Sequence, residues 1–521
     1  MPSLRLGRHW TLRRWRRVRR VVQLAALAAF LVLFVGARGG GWPGSLANLA
    51  LRLDPLLVLA NLLASRAFLA GSALALATLA LTLVFGRAWC GWLCPLGTIL
   101  DLFSLRAWRG KRLPPRERWR SVKYGLLLSI LVAAVFTNLT LLILDPLTLL
   151  MRSLAAGWWP AVDPLVTWAE GALYAIPWLQ APVSAFDGLL RPAVLPTTQA
   201  FYRDAWLYGA VLLAVIGLNV LAERFWCRYL CPLGGLLGLL SKVTLFKRLV
   251  ARNQCNDCDA CARVCPTGAI QASQGYASDP GECTLCLDCL VACPRQGNLF
   301  PASLAPARWN DYDPSRRQAL AVMGVTAAGV FLLRSDLTVS RDDPHLIRPP
   351  GARENNLLAA CVRCGECVRV CPTSAIQPAL GEAGLEGLWA PVLVPRAGYC
   401  DYSCNACGGA CPVAAIPPLS LDEKRQRVIG AAYINQNRCI AWSGHKPCIV
   451  CEEMCPLPEK AVWLEELALP NADGSLTTIQ APHVDRDRCI GCGICEYKCP
   501  VNGEAAIRVY APGGSAPLNT G

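Results

Sequence analysis

Five apolar runs punctuate the first 334 residues: Val21–Gly36, Phe68–Phe85, Tyr124–Leu144, Trp206–Leu221 and Ala319–Leu333. The first four approach the roughly 20 residues that a helix needs to span hydrocarbon, and predict four membrane helices. Polar segments between them alternate in charge. Residues 1–20 hold eight arginines and no acid, and Arg87 to Lys123 holds nine Lys/Arg against two acids. Leu144–Asp204 has three Arg and five acids, and basic residues then return at Arg224, Arg228, Lys242, Lys247, Arg248 and Arg252. Positive charge favours the cytoplasmic side. The N-terminus, the Arg87–Lys123 loop and the segment after Leu221 are therefore read as cytoplasmic, in a bacterial inner membrane. The basic start lacks a small-residue cleavage site, which predicts a retained anchor.

The remaining chain alternates cysteine-rich and polar stretches. Residues 253–300 form a compact cysteine-rich unit, and Ala302–Gln318 is polar. Ser315-Arg316-Arg317-Gln318 then precedes the fifth run, in the manner of a twin-arginine export signal. Residues 315–334 are read as a retained signal anchor that places the C-terminal part in the periplasm. The run is short, about 22 Å as a helix against roughly 30 Å of hydrocarbon. Snorkelling of Arg317 and Arg334 with local thinning of the bilayer closes that gap. Arg334–Asn356 reads as a linker, residues 357–510 as a second cysteine-rich unit, and the Gly/Pro/Ser-rich tail after Tyr510 as disordered. The predicted fold is a polytopic α-helical membrane domain over 1–252, followed by ferredoxin-like α+β iron–sulfur domains at 253–300 and 357–510.

Composition agrees with a chain partly in lipid. Hydrophobic residues make up 54%, charged residues 17%, and mean hydropathy is +0.35. Soluble domains carry about 25% charged residues. Disorder over most of the length and a single soluble domain are both excluded. The 28 cysteines fall into eight groups, each ending in C-x3-C-P. Such clustering in a long chain points to thiolate ligation of a soft metal rather than to a disulfide scaffold. The net charge of +15 changes meaning accordingly. Six [4Fe–4S] clusters at about −2 each would bring it near about +3, so the basic excess does not imply nucleic acid.

Two groups, Cys255/Cys258/Cys261/Cys265 and Cys283/Cys286/Cys289/Cys293, carry the x2, x2, x3, Pro spacing of bacterial two-cluster ferredoxins. In that run the fourth cysteine serves the other cluster. The expected sets are therefore Cys255, Cys258, Cys261 with Cys293, and Cys283, Cys286, Cys289 with Cys265. Zinc sites use separated C-x2-C pairs instead. The C-terminal unit repeats the theme four times. Cys361/Cys364/Cys367/Cys371 and Cys489/Cys492/Cys495/Cys499 are regular, Cys400/Cys404/Cys407/Cys411 gains one residue, and Cys439/Cys448/Cys451/Cys455 has a longer loop. Neighbouring motifs are the favoured partners, with a nested pairing also open.

Cys90/Cys94 and Cys227/Cys231 differ, each a lone C-x3-C-P-L-G. On a helix the two thiols of a pair would share one face. The two pairs belong to an internal repeat in which Asp54-Pro55-Leu56 precedes the first and Asp145-Pro146-Leu147 the second. Two parallel halves bring all four thiols together near the cytoplasmic surface, either to bind metal and exchange electrons or simply to pack. The Asp-Pro pairs read as N-caps with Pro at N1, or as proton-handling groups. The sequence has no C-x-x-C-H, P-loop, H-E-x-x-H or dinucleotide fingerprint. His9, His345, His445 and His483 lie outside the apolar runs, so neither haem nor nucleotide is expected.

With its two C-x3-C-P-L-G motifs, four apolar runs and two-cluster ferredoxin, the part from about 15 to 300 resembles the NapH/MauN family. The part from about 314 to 510, with a twin-arginine-like start and four cysteine motifs, resembles the NapG/MauM family. A fusion of the two implies a quinol dehydrogenase module that passes electrons from the quinol pool to a redox partner protein in the periplasm, such as periplasmic nitrate reductase. The alternative is a maturation or assembly factor for a metalloenzyme, including one of the methylamine-utilisation type.

Overall fold

Thr, Asn, Gly and Pro cut the apolar runs into shorter helices than their lengths suggest. The computed structural model describes residues 9–37, 44–67, 70–104, 117–194, 200–303, 310, 313, 315–334, 343–444, 446–470 and 476–512. The first run lies in a helix, His9–Gly36, whose Arg14–Gly36 portion is the one helix among the described residues long and apolar enough to cross a membrane. The second run becomes a 3-10 turn, Ala70–Leu74, and a helix, Ala75–Phe85, ended by Gly86 at φ +66°. The third stops as a helix at Val135. Thr137 is left-handed, the Asn138 side chain accepts from the Thr140 amide, and Thr140–Leu144 is a 3-10 turn. The fourth is the helix Ala205–Gly217, extended by one 3-10 turn. Of the four runs read as spans, the first alone forms a helix of spanning length. The fifth run lies in the helix Arg316–Arg334.

By contacts the chain divides into two units. One comprises Met1–Val35, Asn48–Met151 and Ala210–Leu332. Its helices Pro55–Ser65, Ser121–Val135 and Pro232–Leu240 pack together. Its cysteine-rich part adds strands β1 (Leu249–Val250), β2 (Ile270–Gln271), β3 (Ala277–Ser278) and β4 (Asn298–Leu299). β1 pairs with β4 and β2 with β3, both antiparallel. Large apolar side chains remain exposed on the helices, among them Leu76, Leu213, Leu320, Val325 and Phe331. Soluble monomers rarely leave such surface uncovered.

The other unit comprises Gly36–Ala47, Arg152–Gly209 and Leu333–Gly521. Beyond the short helix Pro146–Ser153, the segment between the third and fourth runs holds the helices Trp159–Tyr174 and Gln180–Val194, for which the hydropathy pattern gave no signal. Strands β5 (Ile376–Pro378) and β6 (Pro391–Leu393) form one ladder. β7 (Ala431–Ile434) pairs with β10 (Ile507–Tyr510), and β8 (Val462–Pro470) with β9 (Leu476–Val484). Residues 200–208 are tied to this cysteine-rich part. Tyr202 Oη donates to the Val368 carbonyl at 3.2 Å, Gln377 Nε2 to the Phe201 carbonyl at 3.1 Å, and Arg203 pairs with Glu382 at 2.7 Å. Phe68, His445, much of Ala302–Gln318, residues 335–342 of the linker and the tail beyond residue 512 lie outside the described residues.

Candidate functional site

Each cysteine motif is built from the same local parts. Proline disfavours helical backbone in the residue before it. Cys265, Cys293, Cys371 and Cys411 all sit before Pro with ψ between 112° and 114°. The fourth cysteine thereby leaves its own loop. In the first unit the C-x2-C loops are wound by left-handed residues, Asp257, Asp259, Leu285 and Leu287.

The fourth cysteines decide which thiols meet. A cavity of about 340 Å³ is lined by Cys255, Cys258, Cys261 and Cys293. Cys265 instead lies with Cys283, Cys286 and Cys289, each of which feels its charge. In the second unit a cavity of about 510 Å³ is lined by Cys371, Cys400, Cys404 and Cys407, while Cys411 faces Cys361, Cys364 and Cys367. A third cavity, of about 380 Å³, is lined by Cys439, Cys448, Cys451 and Cys499. Cys455 lies with Cys489 and Cys492, beside Cys495. Neighbouring motifs are thus the ones that exchange cysteines. Among the described residues no three His, Cys, Asp or Glu side chains converge on a single-ion site. In three of the sets the four thiols line one cavity.

Burial pushes several of these thiols up, and neighbouring cysteines add to it: Cys283 to about 11, Cys492 to about 11 and Cys400 to about 12. Without metal they are neutral, and iron must displace their protons. Backbone amides reach some sulfurs, Ala269 N to Cys265 Sγ at 3.2 Å and Gly297 N to Cys293 Sγ at 3.3 Å. Buried cations stand among them, Arg248 and Lys424 included. Arg248 is held by the Tyr276 carbonyl and Asn298, and favours thiolate at Cys261, Cys283 and Cys289. Lys424 donates to the Asp401 carbonyl and does the same for Cys400, Cys404 and Cys492. The Cys400 amide also donates to the Cys492 carbonyl at 2.8 Å, which joins the second motif of this unit to its fourth. Lone basic residues in polar sequence gave no signal for either role.

The C-x3-C-P pairs lie in the first unit, with all four cysteines buried and none in a disulfide. The expectation of two thiols on one helix face is corrected here. Pro95 and Pro232 force Cys94 and Cys231 into extended backbone, so each caps the following helix, its Sγ facing the amide of Gly97 (3.5 Å) or Gly234 (3.2 Å). The repeat closes reciprocally. Arg87, three residues before Cys90, donates to the Cys227 carbonyl at 3.2 Å, and Arg224, three before Cys227, donates to the Cys90 carbonyl at 3.0 Å. The shared Arg-x2-Cys spacing was the readable signal for this exchange.

Both arginines are compensated. Arg87 pairs with buried Glu282 at 3.1 Å, and Arg224 with Asp101 at 2.6 Å. Burial pushes Cys227 up to about 11 and raises Cys94 and Cys231 further. The ferredoxin loop rests on this floor. Trp92 Nε1 donates to the Leu285 carbonyl at 3.0 Å, and Arg19 donates to the carbonyls of Gly91 and Cys286.

Comparison with known proteins places the chemistry. Residues 67–116 and 205–253 both match one 4Fe-4S binding domain family. Residues 275–372 match a 4Fe-4S dicluster domain, and 250–271 and 481–507 match further 4Fe-4S binding domains. The dicluster match runs from the Cys283 motif to the Cys361 motif, although the cavities group these two motifs with other partners. The methylamine utilization ferredoxin-type protein MauM of Methylorubrum extorquens is 38% identical over 206 residues, 38% of this chain and 89% of that protein. The ferredoxin-type protein NapG of Haemophilus influenzae is 32% identical over 206 residues, 38% of this chain and 72% of that protein. Protein NirI of Paracoccus denitrificans is 32% identical over 232 residues, 43% of this chain and 27% of that protein. No solved structure matches.

Proposed function

Since the chain belongs to the ferredoxin-type iron–sulfur family of MauM and NapG, we propose that it carries electrons through the membrane, from quinol to a periplasmic oxidoreductase such as periplasmic nitrate reductase. Six sets of four thiols, grouped as above, would hold six [4Fe–4S] clusters. Bound there, the clusters supply one-electron carriage. The protein's part is to space the sets, exclude water and tune potential through Arg248, Lys424 and amide-to-sulfur hydrogen bonds. The observation that carries the reading is the grouping of cysteines by exchange between neighbouring motifs. In the second unit it leaves two pairs of sets, joined by the hydrogen bond from Cys400 to Cys492.

A membrane location is supported by the helix Arg14–Gly36 and by the exposed apolar side chains of the helices that accompany it. The four thiols Cys90, Cys94, Cys227 and Cys231, beside Arg87 and Arg224, are assigned a redox or metal role beneath the ferredoxin loop. The same four thiols favour the second reading, a maturation factor that handles metal for another enzyme.

Purified, reconstituted protein in membranes should contain about 24 iron and 24 acid-labile sulfide per chain, and its visible absorption should bleach when quinol is added. Bleaching by dithionite but never by quinol, whatever acceptor is supplied, would leave only the second reading.

A further inference from the structure

The two Asp-Pro-Leu segments meet. Asp54 and Asp145 are both fully buried, away from every cysteine motif in sequence. Each caps the helix it precedes with one oxygen. Asp54 Oδ1 accepts from the Leu56 and Leu57 amides at 2.8 and 3.3 Å, and Asp145 Oδ2 from the Leu147 and Thr148 amides at 3.0 and 3.1 Å. The other two oxygens, Asp54 Oδ2 and Asp145 Oδ1, are buried, and no described group donates to either. The two carboxyls stand within hydrogen-bonding reach of each other.

Capping explains one oxygen of each residue and leaves the facing pair unexplained. Two bare carboxylates cannot be held this close out of water. A cation would solve the problem, but the cations nearby are turned elsewhere. On the helix Ser121–Val135, which packs on Asp54's helix, Lys123 binds Glu282. Arg52 lies against Gly71, and Arg152 donates to the Arg363 carbonyl. Tyr124 feels Glu282, and the titratable neighbour that senses Asp145 is the Cys231 thiol. A proton solves it without a cation, donated by one carboxyl and accepted by the other.

We infer that Asp54 and Asp145 form a proton-binding site, one proton shared between their facing oxygens and room for a second. Burial raises both groups, Asp54 to about 6 and Asp145, which also feels Asp54, well above the carboxylate range. The site's use rests on the quinol reading above. A hydroquinone oxidised to quinone gives up two electrons and two protons. The electrons leave singly to iron–sulfur centres. The monoanionic pair accepts each proton in turn, as the neutral diacid, and releases it to water.

Infrared spectra of the full-length protein at neutral pH should contain a protonated-carboxyl C=O band that shifts in D₂O. The band should vanish in both Asp54→Asn and Asp145→Asn, because an asparagine amide can donate in the proton's place. Unchanged iron content would certify the fold of each variant. Absence of the band in the native protein, or its survival in both variants, overturns the site. Cluster reduction by quinol should slow at least about tenfold in each variant, and an unchanged rate overturns the acceptor role. If the band behaves as stated while quinol fails to reduce even the native protein, the quinol reading falls and the proton site stands.

Discussion

Two side chains, one buried and one half-buried, set local electrostatics in ways that can be measured. Lys424, 4% exposed, places its ammonium between the Cys400 and Cys492 sets. Reduction adds negative charge, so a nearby cation favours it. Lys424→Met should lower the potential of the two adjacent clusters by on the order of 50–100 mV, read by EPR-monitored titration, with Lys424→Arg restoring most of it. An unshifted potential would make Lys424 merely structural. Asp101 poses a stability question. Burial opposes its charge, but Arg224 and then Arg19 outweigh burial and hold its carboxyl at about 2, below the usual range. A depressed carboxylate contributes stability above its unfolded value of about 4, and that stability is lost as pH falls through the folded value. Asp101→Asn should cost about 3 kcal/mol by stranding Arg224, and the deficit measured by denaturant unfolding should shrink below pH of about 3. A deficit that stays constant down to that pH would place the loss in packing.

At the scale of elements, one tight joint lies between the first C-x3-C-P helix and the ferredoxin loop above it. A Cβ on Gly91 would stand 2.0 Å from the Thr284 carbonyl oxygen, a backbone atom that cannot swing aside. Gly91→Ala should push the loop away, cost about 1–3 kcal/mol, and lower iron by about four per chain through loss of the set containing Cys283 and Cys286. Full iron content in this variant would argue that the loop docks otherwise. This joint was half legible in sequence. The C-x3-C-P repeat and its prolines were plain, but the contact joins residues nearly two hundred positions apart, and no local pattern encodes it. The ends of apolar runs were also hidden. Tyr124–Leu144 reads as one span, yet left-handed Thr137 and the Asn138 cap end the helix at Val135. The helices Trp159–Tyr174 and Gln180–Val194 escaped notice because prolines at 160, 164 and 177 look like breaks; Pro160 stands in a first turn, where Pro is tolerated, Pro177 opens a 3-10 turn, and Pro164 lies inside its helix against the usual rule. The short strands β1 to β4, two residues each, are too brief for alternation to register.

For the whole molecule, side is the property on which delivery of electrons depends, and each unit ties together segments whose charge already suggests a side. Arg152–Gly209, from the acidic segment assigned outside by its charge, packs with the C-terminal cysteine sets through Tyr202, Arg203 and Gln377. Buried hydrogen bonds such as Tyr202 to Val368 cannot form across a bilayer, so these two segments share one face. The basic segments around Arg19 and Arg87 pack instead with residues 253–300 through Cys286 and Glu282. The side expected from charge for either segment of a unit is therefore the side expected for the other segment too. A reporter active only outside the cytoplasm should be active when fused after Tyr510, and equally active when inserted near Asp187. The same reporter fused after Phe300 should be silent. Activity at Asp187 with silence after Tyr510, in a protein that inserts normally, would break the link that the Tyr202 and Arg203 contacts impose. Silence at both positions would put every cysteine set in the cytoplasm, and a periplasmic acceptor would then have no physical route to the electrons.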